Sequence, residues 1–182
     1  MQVITKDSRI RYIGKWSLRI AAIFILMIAG IGVYEYTTIS SNSMYSQIYQ
    51  PYETRTSRGN EELSPVESAY TKGDFTASIT AFLSQRIHST ADYFYVGQAY
   101  LATNKTNEAV SNFENALHSA GVSHQYKQES EFYLALAYLR ANELGKSTAL
   151  FEKIHNDPNH LFHDKVSGWF MKKLYFLEKK SQ

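Results

Sequence analysis

The pattern of residues 92–117 constrains this chain most. Tyr93, Val96, Gly97, Ala99 and Tyr100 fall on one helical face, and after a break at Asn104 the spacing resumes with Ala109, Phe113 and Ala116. Small residues at Gly97, Ala109 and Ala116 stand where two helices must approach closely, and aromatics fill the space around them.

Weaker copies of the pattern lie on both sides. Ser64-Pro65-Val66-Glu67 is a helix start, with a capping serine, a proline pre-shaped for the first turn and Glu67 to complete a capping box. Gly73-Asp74-Phe75 then marks a turn, followed by Ser78 and Phe82 at the small and aromatic positions. Downstream, Glu131, Leu134, Ala135, Ala137, Tyr138, Asn142, Ser147, Phe151 and Ile154 take the corresponding places. Equivalent turns are 31 residues apart from Gly73 to Asn104 and 38 apart from Asn104 to Asn142. The extra length falls in an expected loop at 118–126. Asp157-Pro158-Asn159 closes the third pair, and residues 161–180 are expected to form one long amphipathic helix. Its mostly apolar face carries Phe162, Val166, Trp169, Phe170, Lys173 and Leu174, and Lys172, Lys173, Lys179 and Lys180 stand toward its end, where cations favour the helix dipole.

These residues resemble the tetratricopeptide repeat, whose unit is a helix–turn–helix of about 34 residues. The resemblance covers residues 61–182. The first unit departs from the pattern, with Glu62 where the motif has tryptophan and Val66 where it has glycine. In the third unit Glu131 replaces an aromatic and Asn142 replaces the turn glycine. The implied fold is all-α: an α-solenoid of about three hairpins with a C-terminal capping helix, preceded by a transmembrane helix. The implied function is protein binding, since these repeats present surfaces and carry no chemistry of their own. By position, the first helices of the repeats line the partner surface with Glu67, Tyr70, Phe94, Gln98, Leu101, Phe132, Leu136 and Leu139. Phe94 and Gln98 occupy places where a subset of the family clamps a peptide carboxylate, so that clamp is absent. The remaining surface suits an apolar helix or an extended peptide. The alternative is that the final helix or the linker covers it.

The N-terminus sets the compartment. Residues 20–33 read IAAIFILMIAGIGV, and 16–36 hold charges only at Arg19 and Glu35, near the ends. At about 1.5 Å per residue this span matches a hydrocarbon core, with Trp16 on one side and Tyr34 and Tyr36 on the other as interfacial aromatics. A cleaved signal peptide is the rival reading, but no small-x-small pair follows the run. Lys6, Arg9, Arg11, Lys15 and Arg19 stand against Asp7 alone in the first twenty residues, which keeps residues 1–15 cytoplasmic under the positive-inside rule. The expected arrangement resembles small single-pass repeat proteins of Gram-negative bacteria, anchored in the inner membrane with the repeats in the periplasm. Between the two parts, 37–60 reads as a linker whose Tyr45, Ile48, Tyr49 and Tyr52 are too apolar for a solvated spacer. Packing on the chain's own repeats is the favoured explanation, ahead of a membrane surface or a partner.

Chemistry is not expected. The whole chain carries only +2, so its body lacks the basic stripe that nucleic-acid binding needs. It has no cysteine, which excludes thiolate sites and disulfides. Gly145-Lys146-Ser147 looks like a phosphate loop, but Arg140 stands where that loop needs glycine. His155, His160, His163 and Asp164 cluster in sequence but read as surface residues of a turn. The expectation is a scaffold without cofactor, metal or catalytic residue. It binds an unidentified protein or peptide, or else self-assembles or braces a larger membrane complex through its membrane helix.

Overall fold

The computed structural model describes residues 7–53, 63–119 and 126–181, with the side chains of 7–18 and 35–36 outside the description. Much of the expected loop at 118–126, linker residues 54–60, Glu62 and tail residues 1–6 therefore lie outside the described residues. Among the described residues the structure is all-helical, with nine α-helices and no strand. It divides into two units, Met1–Ile39 and Ser40–Gln182.

The first unit is one helix, α1 (Asp7–Thr38). Its described side chains, 19–34, are exposed, and they include Ile23, Phe24, Ile25, Leu26, Met27, Ile28, Ile31 and Val33. Among the described residues no helix is long and apolar enough to cross a membrane; the stretch 19–34 falls short of the roughly 20 residues that a hydrocarbon core requires.

The second unit begins with α2 (Ser41–Ile48), which Ser40 caps by accepting from the Ser43 amide. Residues 40–53 of the expected linker thus belong to the second unit. Three hairpins follow: α3 (Pro65–Thr71) with α4 (Phe75–Ser84), α5 (Thr90–Ala102) with α6 (Thr106–Ser119), and α7 (Lys127–Arg140) with α8 (Leu144–Asn156). Each packs on the next, α4 against α5 and α6 against α7, and the first helices α3, α5 and α7 lie side by side.

The hairpins are alike in bonding detail. Their turns pass through Gly73, Asn104 and Asn142, all left-handed at φ 76, 62 and 61°. Glycine has no Cβ to clash there, and asparagine tolerates this region better than most residues. In each turn the following amide closes back five residues: Asp74 to the Ala69 carbonyl, Lys105 to Tyr100 and Glu143 to Tyr138. Inside the first and third hairpins a buried serine donates to a carbonyl twelve residues back, Ser78 to Val66 and Ser147 to Ala135, each at 2.9 Å. In the second hairpin Gly97 and Ala109 stand at those places. A Cβ on Gly97 would lie 2.8 Å from the Phe113 ring.

One expected element differs. Residues 161–180 are not a single helix: a short 3-10 turn, His163–Lys165, precedes α9 (Gly168–Lys180). The break has two causes. The His155 ring holds the Val166 carbonyl at 2.7 Å, and the Ser167 hydroxyl caps α9 by accepting from the Phe170 amide. The expected capping box at Ser64 is half formed, since Glu67 donates its amide to the Ser64 hydroxyl. A complete box joins Ser89 and Asp92, and Ser64 also bonds Asp92 at 2.6 Å, tying the start of α3 to that of α5.

Because Phe113 is fully buried, Gly97→Ala forces the ring or the helix to shift. Overpacking of this kind costs about 1–3 kcal/mol, more than alanine returns in helix propensity. A thermal melt should show a lower midpoint, and an unchanged or higher one would mean that the helices separate freely.

Candidate functional site

The side of the hairpins formed by α3, α5 and α7 is lined with aromatic rings, because tyrosine and phenylalanine recur along the first helices. Tyr70, Phe94, Gln98, Leu101, Phe132, Leu136 and Leu139, the residues expected to line a partner surface, are all buried, between 0 and 6% exposed. Glu67 is buried as well. None of them faces solvent.

Residues 40–53 account for much of this cover. The Tyr52 ring meets Phe94 edge-on at 4.8 Å and lies 6.1 Å from Tyr95 and 6.2 Å from Tyr133. Its carbonyl accepts from the Tyr70 hydroxyl at 3.0 Å, and the Gln50 carbonyl accepts from the Tyr133 hydroxyl at 2.9 Å. The Gln50 side chain accepts from the Lys165 ammonium at 2.7 Å. Toward the other end, Tyr45 stacks on Tyr49 at 4.7 Å, and the Arg140 guanidinium lies 4.8 Å from the Tyr45 ring centre and donates to its hydroxyl. Ser41 bonds the Asn142 side chain at 2.6 Å. The segment is therefore a strap across the first helices, with Met44 and Tyr45 buried. Its helical face of tyrosines was legible in the sequence; Arg140 as its anchor was not, because nothing local marks a partner 95 residues away.

Deeper in the same layer, Tyr126 stacks on Phe94 at 4.8 Å and donates to the Tyr95 hydroxyl. Burial is the main cause that pushes the hydroxyls of Tyr45, Tyr70, Tyr95 and Tyr133 well above the usual tyrosine range. They remain neutral donors and acceptors and are not bases or nucleophiles.

Gln98 stands apart. It is fully buried, one helical turn beyond Phe94, and neither atom of its amide has a hydrogen-bond partner. A buried unpaired amide costs about 1–3 kcal/mol. Tyr52 of the strap lies against Phe94 of the same stripe.

A polar cluster lies under the third hairpin. Glu131 takes the Lys153 ammonium at 2.8 Å and faces the buried His160 Nε2 at 3.4 Å, while His160 Nδ1 accepts from the Phe162 amide. That acceptor role leaves the neutral ring's proton on Nε2, which has no hydrogen-bond partner although Glu131 is near. Among the described residues no three His, Asp or Glu side chains converge to hold a metal ion. No family model, curated protein or solved structure matches this chain.

Replacing Gln98 by methionine keeps its length and removes the unpaired amide, so stability should rise by about 1 kcal/mol, read as a higher denaturation midpoint. A fall would place an unseen partner on Gln98. Burial outweighs Glu131 and lowers the His160 pKa from its usual 6.5. The unfolded chain then takes the proton first, so stability should be level above pH 6.5 and drop as pH falls through and below it. His160→Gln should flatten that decline in melts from pH 7.5 to 5.5, and an equal decline in the variant would assign it to other groups.

Proposed function

We propose that the chain is a tetratricopeptide-like interaction scaffold held at a membrane by α1, and that residues 40–53 are the built-in occupant of its binding face. A partner segment reaches Phe94 by displacing the strap, whose Tyr52 ring lies against it. The observation that carries this is the unpaired amide of Gln98, one helical turn from the Phe94 ring that Tyr52 of the strap covers. Native structures seldom leave such a group unpaired without cause. An extended apolar peptide that offers its backbone to Gln98 would satisfy what the strap leaves open.

Several features support the membrane tether. An apolar exterior all round a helix suits a lipid surrounding, and the described part of α1 has one over 20–33. The sequence extends this to 16–36, with basic residues before it, which favours a cytoplasmic N-terminus and hairpins on the far side of the membrane. The repeated left-handed turns and their shared hydrogen bonds support the repeat assignment. A structural role is the second reading, favoured by the number of bonds that fix the strap to the hairpins. In it residues 40–53 serve only to carry the chain from α1 into the body, which assembles with copies of itself or braces a membrane complex.

Azidophenylalanine at Tyr70 keeps the ring size, and photolysis in the native membrane separates the two readings. Binding by displacement predicts links to the strap in the otherwise unchanged chain. Tyr52→Ala should loosen the strap and raise links to one foreign protein severalfold. Links confined to the chain's own residues in both backgrounds would leave the coupling role and remove the binding face.

A further inference from the structure

The two cations that grip the strap both hold neutral groups. At one end the Arg140 guanidinium donates to the Tyr45 hydroxyl at 3.3 Å, and also to the Leu101 carbonyl and the Asn104 side chain. At the other the Lys165 ammonium donates to the Gln50 side-chain oxygen at 2.7 Å. Among the described residues neither cation has a carboxylate at ion-pair distance. The buried acids of the first helices are matched elsewhere: Asp92 by Ser64 and Ser89, Glu131 by Lys153, and Glu67 by the Tyr95 hydroxyl. Neither cation belongs to the repeat. Arg140 stands two residues before its turn, where the other hairpins carry Thr71 and Ala102, and Lys165 lies in the 3-10 turn after the last hairpin.

We infer that the partner segment, apolar where it meets Phe94, carries carboxylates that meet Arg140 and Lys165; this rests on the reading that a partner displaces the strap. A carboxylate keeps each bond and makes it charge-assisted, which is shorter and about twice as strong as the neutral bond that the strap supplies. The two ends contribute unequally. Lys165 is exposed, so water and salt screen its pair, whereas Arg140 is half-buried over the Tyr45 ring at 4.8 Å. The aromatic slot at Phe94 and Tyr95 takes a ring, as it takes that of Tyr52. On the path of the strap the recognised pattern is a carboxylate at the place of Tyr45, a second at Gln50 and a ring at Tyr52. A basic segment meets two like charges there, and a wholly apolar one leaves Arg140 short of an acceptor.

The test uses the full chain in neutral detergent, with Tyr49→Ala and Tyr52→Ala to weaken its own strap, and a fluorescein-labelled synthetic peptide of residues 40–53. One peptide is native. In the other, Gln50→Glu is combined with 4-carboxyphenylalanine at Tyr45, which keeps the ring and puts a carboxylate where the hydroxyl was. By fluorescence anisotropy the acidic peptide should bind about tenfold tighter than the native one. The gain should shrink in high salt and disappear in a chain that also carries Arg140→Gln and Lys165→Gln. Equal binding of the two peptides overturns the acidic partner and leaves displacement of the strap standing. A gain that survives loss of both cations places the acids on another surface and overturns it too. Binding of neither peptide, once azidophenylalanine at Tyr70 no longer links to the strap, removes the displacement reading and this inference with it. If circular dichroism shows that the weakened chain does not fold, Gln50→Glu in the otherwise native chain reads the same preference. Slower amide exchange across 49–53 supports it, and equal or faster exchange overturns it.

Discussion

The second unit depends on how closely two helices approach inside each hairpin. Ser78 under Val66, Ala109 beside Gly97 and Ser147 under Ala135 are small enough to let the backbones meet, and two of the three also bond across the gap. Phe82, Phe113 and Phe151 then fill the space beside them and are buried. A left-handed residue at each turn lets the second helix fold back at that distance. Every later layer inherits its geometry from this spacing, because interiors packed to crystal density transmit a shift of a fraction of an ångström.

The same packing creates the aromatic layer on the first helices. Tyr70, Phe94, Tyr95, Phe132 and Tyr133 come from three different hairpins, and side by side they would expose a large apolar area to water. The chain covers part of it with its own residues 40–53, held by hydroxyl-to-carbonyl bonds from Tyr70 and Tyr133 and by Arg140 on Tyr45. One helical turn from Phe94, the buried Gln98 amide has no hydrogen-bond partner.

Much of this was legible beforehand. The small and aromatic positions, the three turns and the tyrosine face of the linker all rest on spacing within one element, which local sequence encodes. The candidate lining residues were correctly placed on the first helices, but their exposure was not readable. Phe94 looks the same in sequence whether water or Tyr52 lies above it. The break before α9 was missed for a similar reason: it depends on His155 reaching Val166 from another helix.

The sequence by itself determined the helical class, the hairpin period, the apolar stretch near the N-terminus and the near-neutral body, because composition and periodicity act locally. Only the tertiary structure decided that the first-helix face is covered and that Arg140 and Asn142 hold the strap. Those outcomes come from contacts between residues tens of positions apart. Which of many apolar surfaces pair is settled by shape and hydrogen-bond matching in three dimensions, and the spacing of residues along a chain does not carry that information.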